Sequence, residues 1–249
     1  MQRLIVGNWK LYVKSLADGR KLLKEIDKKF PRGVKTNVAI CPPNAFGVAL
    51  HETYKGKRIE FGAQDVFWET EGPHTGMISP VSVKESGMKY TIVGHAERRA
   101  LGDTNEIVAK KAVAAYDAGL HVILCVGELE RDQDGGHFTH LAKDVTQSIA
   151  RLDPSSVSRL TIAYEPVWAI GAPEAPHPRV AEESIVFIRK TIANLWGRER
   201  ALKIRIIYGG AVDSISAPKF AEHSSIQGLL IGRASVNAEE FSKIIKVFS

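Results

Sequence analysis

Eight short apolar runs recur along the chain, and longer segments separate them. Each run is hydrophobic almost without interruption, which is typical of strands buried on both faces of a parallel sheet. Eight runs in 249 residues give about 31 residues per repeat, close to one strand–helix–strand step. We therefore predict an α/β protein whose strands are Leu4–Val6, Val38–Cys41, Ile59–Ala63, Tyr90–Val93, His121–Val126, Leu160–Tyr164, Ile204–Tyr208 and Gly228–Ile231.

Several of the intervening segments carry apolar residues at helical spacing. We predict helices over Leu16–Phe30, Asn105–Gly119, Ala181–Trp196 and Ala238–Phe248. No flexible linker, charge block or low-complexity tract divides the chain. We therefore expect residues 1–249 to form a single domain.

Polar residues and glycines follow the apolar runs at their carboxyl ends, and this position distinguishes two architectures. An open doubly wound sheet of eight strands would place its outer strands about 34 Å apart at roughly 4.8 Å per strand. No GxGxxG motif follows the first run to favour such a sheet. In a closed barrel the same ends meet at one mouth. We predict a closed eight-stranded parallel (β/α)8 barrel whose mouth collects Asn8, Lys10, His95, Glu165, Gly209, Gly210 and Gly232.

Composition narrows the function classes. The formal net charge of +6 favours anionic ligands, but basic and acidic residues are interspersed, so we expect no nucleic-acid partner. No apolar run is long enough to span a membrane or to act as a signal peptide. Only two cysteines occur, without a CxxC pair, and we expect a cytoplasmic protein. His137 and His140 have no evident third ligand, so we expect no metal site.

Six short segments, in this order, give the chain a specific resemblance to the triosephosphate isomerase family. They are GNWK at 7–10, GHAERR at 94–99, CVGE at 125–128, AYEPVWAIG at 163–171, YGGAV at 208–212 and GLLIGRAS at 228–235. The resemblance implies a TIM barrel without a cofactor that interconverts dihydroxyacetone phosphate and glyceraldehyde 3-phosphate. Lid closure and tuned acid–base groups are general features of that family.

The resemblance also assigns the catalytic residues. Glu165 matches the base that removes a proton next to the substrate carbonyl, and a dry site strengthens a carboxylate as a base. His95 matches a neutral imidazole that polarises the substrate oxygens, and Lys10 supplies a fixed positive charge. Asn8 is expected to support the same oxygen by hydrogen bonding, and Glu97 is expected to orient Lys10.

The phosphate is expected at backbone N–H groups, because glycine lets the main chain approach an anion closely. The segment that starts at Gly232 could open a short helix whose amino end faces the phosphate. The predicted phosphate-binding residues are Gly171, Gly210, Ala211, Gly232 and Arg233.

The chain departs from the family pattern mainly around the lid. In the family's usual pattern, a serine at the position of Ala211 accepts a hydrogen bond from the N–H of a lid residue. The tyrosine at the position of Tyr208 accepts a hydrogen bond from the N–H of another lid residue. The matching lid positions here are Pro173 and Pro176, which have no N–H. We therefore expect the lid to close with fewer hydrogen bonds, and Tyr208 to bond elsewhere or to water. Further departures are Ala96, Arg233 and Tyr12.

Two alternative functions and one oligomeric state, a homodimer, remain as hypotheses. The chain could be a non-catalytic barrel that binds phosphosugars with a weakened lid, although a mere binder needs no base. A different phosphosugar barrel would not reproduce AYEPVWAIG. We also expect a homodimer through the loop Val66–Pro80, where Phe67 and Trp68 should be exposed for a partner.

Overall fold

Eight parallel strands close into a barrel in the computed structural model, which describes residues 2–132, 134–172 and 174–249. Each strand pairs with its neighbours in the sequence, and the first also pairs with the last. Val6 is thus in register with Ala39 on one side and with Leu230 on the other. The closed barrel is confirmed over the open sheet. The strands are β1 Leu4–Asn8, β2 Asn37–Cys41, β3 Glu60–Ala63, β4 Tyr90–Val93, β5 His121–Val126, β6 Leu160–Tyr164, β7 Arg205–Tyr208 and β8 Gly228–Ile231.

Helices surround the barrel, and the four predicted ones are confirmed within a few residues. The first begins after Ser15, whose side chain accepts a hydrogen bond from the N–H of Asp18, and buries Leu23 and Ile26 against the strands. No helix in the described part of the chain is long and apolar enough to cross a membrane. The helices are α1 Leu16–Lys29, α2 Asn44–Thr53, α3 Pro80–Glu85, α4 Ala96–Ala100, α5 Asn105–Asp117, α6 Gly136–Ile149, α7 Pro178–Trp196, α8 Arg198–Lys203, α9 Ala217–Ala221 and α10 Ala238–Val247.

The strands are apolar throughout because each contributes to two cores. Alternate residues such as Val6 and Ile92 pack with one another inside the barrel. The residues between them, such as Ile5 and Ile162, pack against the surrounding helices. Both faces are therefore removed from water, and the carboxyl ends of the strands provide places for polar side chains.

The two long loops differ from the sequence-based expectation in one respect. The segment after β6 contains a short 3-10 helix, Val167–Ala169, and ends where α7 begins. In the loop after β3, the expectation of exposed aromatic residues is wrong for Phe67, which is only 8% exposed. Its ring packs 4.0 Å from that of Trp68, and its N–H donates to the carbonyl of Ile78. Phe67 therefore stabilises the loop itself, and the exposed apolar side chain of this loop is Met77.

Candidate active site

One cavity of about 880 Å³ lies at the carboxyl-terminal mouth of the barrel. It brings together all the residues that the sequence analysis singled out for catalysis and phosphate binding, although they come from five different strand ends. The predicted convergence of the strand ends is thus present. The ten residues are Asn8, Lys10, His95, Glu97, Glu165, Gly171, Gly210, Ala211, Gly232 and Arg233.

Glu165 stands directly after β6 and is only 2% exposed. Its Oε2 accepts a hydrogen bond of 3.1 Å from the N–H of Ala96, and its Oε1 lies 3.2 Å from His95 Nε2. Gly209 leaves room for this side chain, because a Cβ at that position would lie 2.7 Å from Glu165 Cγ. The carboxylate is therefore largely removed from water but held by two donors, as a general base requires.

His95 caps the amino end of α4, and its hydrogen bonds define which ring nitrogen carries the proton. Nδ1 accepts a hydrogen bond of 3.1 Å from the N–H of Glu97, so this nitrogen carries no proton. The neutral ring then carries its proton on Nε2, which faces Glu165. His95 is arranged to act as a neutral hydrogen-bond donor toward the cavity.

Lys10 is the one non-glycine residue of the described chain with a positive φ, at 45°. Its N–H donates to Asn8 Oδ1 at 3.1 Å, and its carbonyl accepts from Gln64 Nε2 at 3.1 Å. Its Nζ lies 2.7 Å from Glu97 Oε1. Backbone strain of this kind persists only where surrounding contacts over-determine it, and here they aim an ammonium group into the cavity.

Glu97 remains ionised beside this ammonium group. Partial burial by itself would raise the pKa of Glu97, but the hydrogen bond and the charge of Lys10 outweigh it. The pKa of Glu97 therefore lies below its usual value. An ionised Glu97 can hold the flexible Lys10 side chain in one direction.

The residues predicted to bind phosphate lie on loops next to Lys10. Gly171 has a φ of 74°, and Gly232 immediately precedes a 3-10 helix, Arg233–Val236. The Cα of Gly232 faces the Lys10 side chain, because a Cβ there would lie 3.6 Å from Lys10 Cε. The N–H of Ala211 donates to the carbonyl of Ala169 at 3.3 Å. Backbone N–H groups and the ammonium group of Lys10 thus lie at the same end of the cavity.

The lid region is only partly covered by the structure. Pro173 lies outside the described residues. Tyr208 is buried, and its hydroxyl finds no hydrogen-bond partner among the described residues. The expectation that this hydroxyl bonds elsewhere or to water stays a prediction, because no partner for it lies within the described residues.

Sequence reasoning missed three polar contributions. Gln64 follows β3 directly and donates to the carbonyls of Lys10 and Cys41. Glu128, two residues beyond β5, is buried and accepts hydrogen bonds from the Tyr164 hydroxyl at 2.8 Å and from Trp168 Nε1 at 3.0 Å. Both residues lie at carboxyl ends of strands, so the positional rule that selected Glu165 could have found them.

Cys125 is the third missed residue. Its thiol is fully buried inside the barrel. Burial raises the pKa of Cys125, and the nearby carboxylate of Glu165 raises it further. Cys125 therefore remains a neutral thiol beside Glu165.

A second groove, of about 820 Å³, adjoins the active-site cavity and shares Lys10, His95 and Glu97 with it. Exposed apolar side chains line it, with Leu11 at 83%, Leu101 at 77% and Met77 at 56% exposure. The active-site residues are thus bordered on one side by an apolar surface.

Comparison with known proteins places this geometry in a family. The family model described as triosephosphate isomerase matches residues 3–248. A triosephosphate isomerase of Thermoanaerobacter pseudethanolicus is 37% identical over 97% of this chain and 98% of its own length. The triosephosphate isomerase of Caldanaerobacter subterraneus is 38% identical over 97% of this chain and 98% of its own length. The triosephosphate isomerase of Roseiflexus castenholzii is 37% identical over 99% of this chain and 97% of its own length. The chain belongs to the triosephosphate isomerase family.

Proposed function

We propose that this chain interconverts dihydroxyacetone phosphate and glyceraldehyde 3-phosphate. The observation that carries the proposal is the arrangement of Glu165 Oε1 within 3.2 Å of His95 Nε2 in a cavity that Lys10 also enters. A buried base, a neutral donor and a cation are what a proton shift between neighbouring carbons needs. The relatives carry the name of an isomerase for such a substrate.

Each step can be written with these side chains. Glu165 takes a proton from the carbon beside the carbonyl, and the electron pair moves onto the carbonyl oxygen to give an enediolate. The Nε2–H of His95 donates a hydrogen bond to that oxygen, and a proton passes between the two oxygens at this face. Glu165 then returns its proton to the neighbouring carbon. Lys10, held by Asn8 and Glu97, stabilises the negative charge throughout.

The substrate phosphate occupies the opposite end of the cavity in this proposal. Backbone N–H groups of Gly171, Gly210, Ala211, Gly232 and Arg233 would surround it. The N–H of Ala211 would exchange its present contact with Ala169 for the phosphate. Anchoring the phosphate there fixes the reacting carbons relative to Glu165.

A coupled assay with glyceraldehyde 3-phosphate tests the reaction and the base together. The Glu165→Asp variant retains the carboxylate but withdraws it by one methylene, so we expect kcat to fall about 100-fold with KM nearly unchanged. Wild-type protein without isomerase activity would support the non-catalytic phosphosugar-binding barrel instead. Full activity in Glu165→Asp would remove Glu165 from the role of base.

We further propose that the chain forms a homodimer through the loop Val66–Pro80. The apolar groove beside the active site offers a place for Met77 and its neighbours from a second copy. Leu101→Asp should then yield monomers by light scattering at micromolar concentration. Leu202→Asp, on an exposed site of α8, serves as the matched control and should stay dimeric. A monomeric wild-type protein would contradict this assembly.

A cytoplasmic location is proposed for the same protein. Cys41 and Cys125 are both free thiols buried inside the barrel, which suits a reducing compartment. Fractionation of the native host with a thiol-labelling step would test this, and recovery outside the cytoplasm would contradict it.

A further inference from the structure

A second polar cavity lies at the opposite, amino-terminal mouth of the barrel. Its volume is about 690 Å³, within the usual range for small-molecule sites. The segment that leads into β2 forms one wall, and Tyr90 and His121, at the starts of β4 and β5, also line it. None of the residues assigned to catalysis or phosphate binding lines this cavity.

The charged side chains around this mouth are predominantly cationic. Five basic residues line the cavity, against a single acidic one, Glu60. Glu60 lies 2.5 Å from Lys89, and Arg58 is neutralised by Asp27 at 2.8 Å. No carboxylate within the described residues pairs with the other three cations, which are Arg32, Lys35 and Lys57.

Two further arginines contribute positive charge behind the cavity floor. Arg205 is only 8% exposed and donates to the carbonyl of Gln2 and to Thr161 Oγ1. Arg159 donates to the carbonyls of Tyr116 and Leu120. Neither guanidinium contacts a carboxylate in the part of the chain that the structure describes, so neither charge is cancelled locally.

The response of His121 supports a positive potential at this mouth. Burial is the largest cause that lowers the pKa of His121, to about 4, and the charges of Arg205 and Arg159 lower it further. His121 therefore stays neutral near pH 7 and adds no charge of its own to the floor of the cavity. A concave site with uncompensated cations on its rim and behind its floor attracts anions.

We propose that the amino-terminal mouth of the barrel is a second binding site, for a small multivalent phosphate anion. Arg32, Lys35 and Lys57 would contact the ligand directly, while Arg205 and Arg159 would act through their field. Three uncompensated cations around one cavity favour a ligand with at least two negative charges. This site is separate from the isomerase centre, and the proposal does not depend on that reaction.

Inorganic pyrophosphate is the probe, and backbone amide NMR of the full-length protein is the measurement. The amides of Gly33 and His121 report on the amino-terminal mouth, while those of Gly171 and Gly232 report on the active site. We expect saturable shifts at Gly33 and His121. In Lys35→Ala/Lys57→Ala, the apparent Kd from these two amides should rise at least tenfold.

A control variant and a salt control distinguish binding at a specific site from general screening by ions. Lys143→Ala/Lys190→Ala removes two exposed lysines from α6 and α7, and its Kd should stay within twofold of wild type. Isomerase activity should be unchanged in both double variants, which makes failure here distinguishable from failure of the proposed reaction. The proposal is overturned if the shifts at Gly33 and His121 are absent or non-saturating, if sodium chloride reproduces them at equal ionic strength, or if Lys35→Ala/Lys57→Ala leaves them unchanged.

Discussion

At the scale of single residues, Gly209 determines where the side chain of Glu165, the proposed base, can lie. The φ of Gly209 does not lie in the left-handed region, so alanine is compatible with the backbone, but its Cβ would press on Glu165 Cγ. A base displaced by about 1 Å can lower the rate about 100-fold. We expect Gly209→Ala to lower kcat by that order, with KM changed less than threefold and the melting temperature nearly retained. Wild-type kcat would show that Glu165 can move without loss.

Arg233 offers a second residue-scale prediction. Its side chain is exposed and makes no salt bridge or hydrogen bond within the described residues, although its backbone begins the 3-10 helix at the phosphate end. If the phosphate needs only the N–H, Arg233→Gly should change substrate affinity less than about threefold, under 1 kcal/mol. A binding assay that finds a tenfold or larger loss would identify the guanidinium as a phosphate ligand.

His121 links residue chemistry to stability. Its pKa is about 4 in the folded chain against 6.5 for the ordinary side chain, so between these values the unfolded chain binds more protons. Stability should therefore fall as the pH drops from about 6.5 to about 4, by on the order of 3 kcal/mol from this group. Denaturant titrations at pH 7 and pH 4.5 should show a smaller loss in His121→Gln than in wild type. His140→Gln, at an exposed site, is the control, and equal losses in all three proteins would exclude His121 as the cause.

At the scale of structural elements, the segment predicted to form the lid carries Pro173 and Pro176, which have no N–H. The Tyr208 hydroxyl has no partner among the described residues, and Ala211 has no hydroxyl to offer. Ala211→Ser alone should gain little affinity for an enediolate analogue, because residue 173 is a proline. Ala211→Ser combined with Pro173→Gly should show positive coupling of about 1 kcal/mol, roughly fivefold in Kd. If Ala211→Ser alone gives the full gain, the hydrogen bond does not involve residue 173.

The elements themselves were predictable to different degrees. The strand at Tyr90–Val93 matches its predicted range residue for residue, because all four of its residues, including Thr91, are buried. The helix α6 escaped prediction because its buried face includes His137, Asp144 and Ser148, which interrupt the apolar stripe. Helix α2 escaped because it buries little beyond Gly47 and Leu50.

The residues of the candidate site were also predictable to different degrees. Position at a strand end was enough to suggest Glu165 and His95. The same rule could have suggested Gln64 by its position, but its role depends on contact with Lys10, which is 54 residues away, and no local pattern encodes that contact. The buried environment of Cys125 beside Glu165 likewise exists only once the barrel has closed.

At the scale of the whole molecule, we propose that residues 1–249 form one cooperative domain. Because β1 pairs with β8, neither the first nor the last strand can unfold without exposing the edge of the other. Tryptophan fluorescence and far-UV circular dichroism should therefore report one coincident thermal transition. If the protein is a dimer, its midpoint should also rise with protein concentration. Two separated transitions would indicate independent units.

Closure by the first and last strands has a consequence during synthesis on the ribosome. About 220 residues separate the end of β1 from the end of β8, so at about 5–20 residues per second the two are made roughly 10 to 45 seconds apart. Throughout that interval the growing sheet presents open edges with unpaired N–H and carbonyl groups, which invite pairing with other nascent chains. The isomerase mouth, which draws on β1, β4, β6, β7 and β8, can therefore form only after nearly the whole polypeptide has emerged, and chaperones have a long window in which to act.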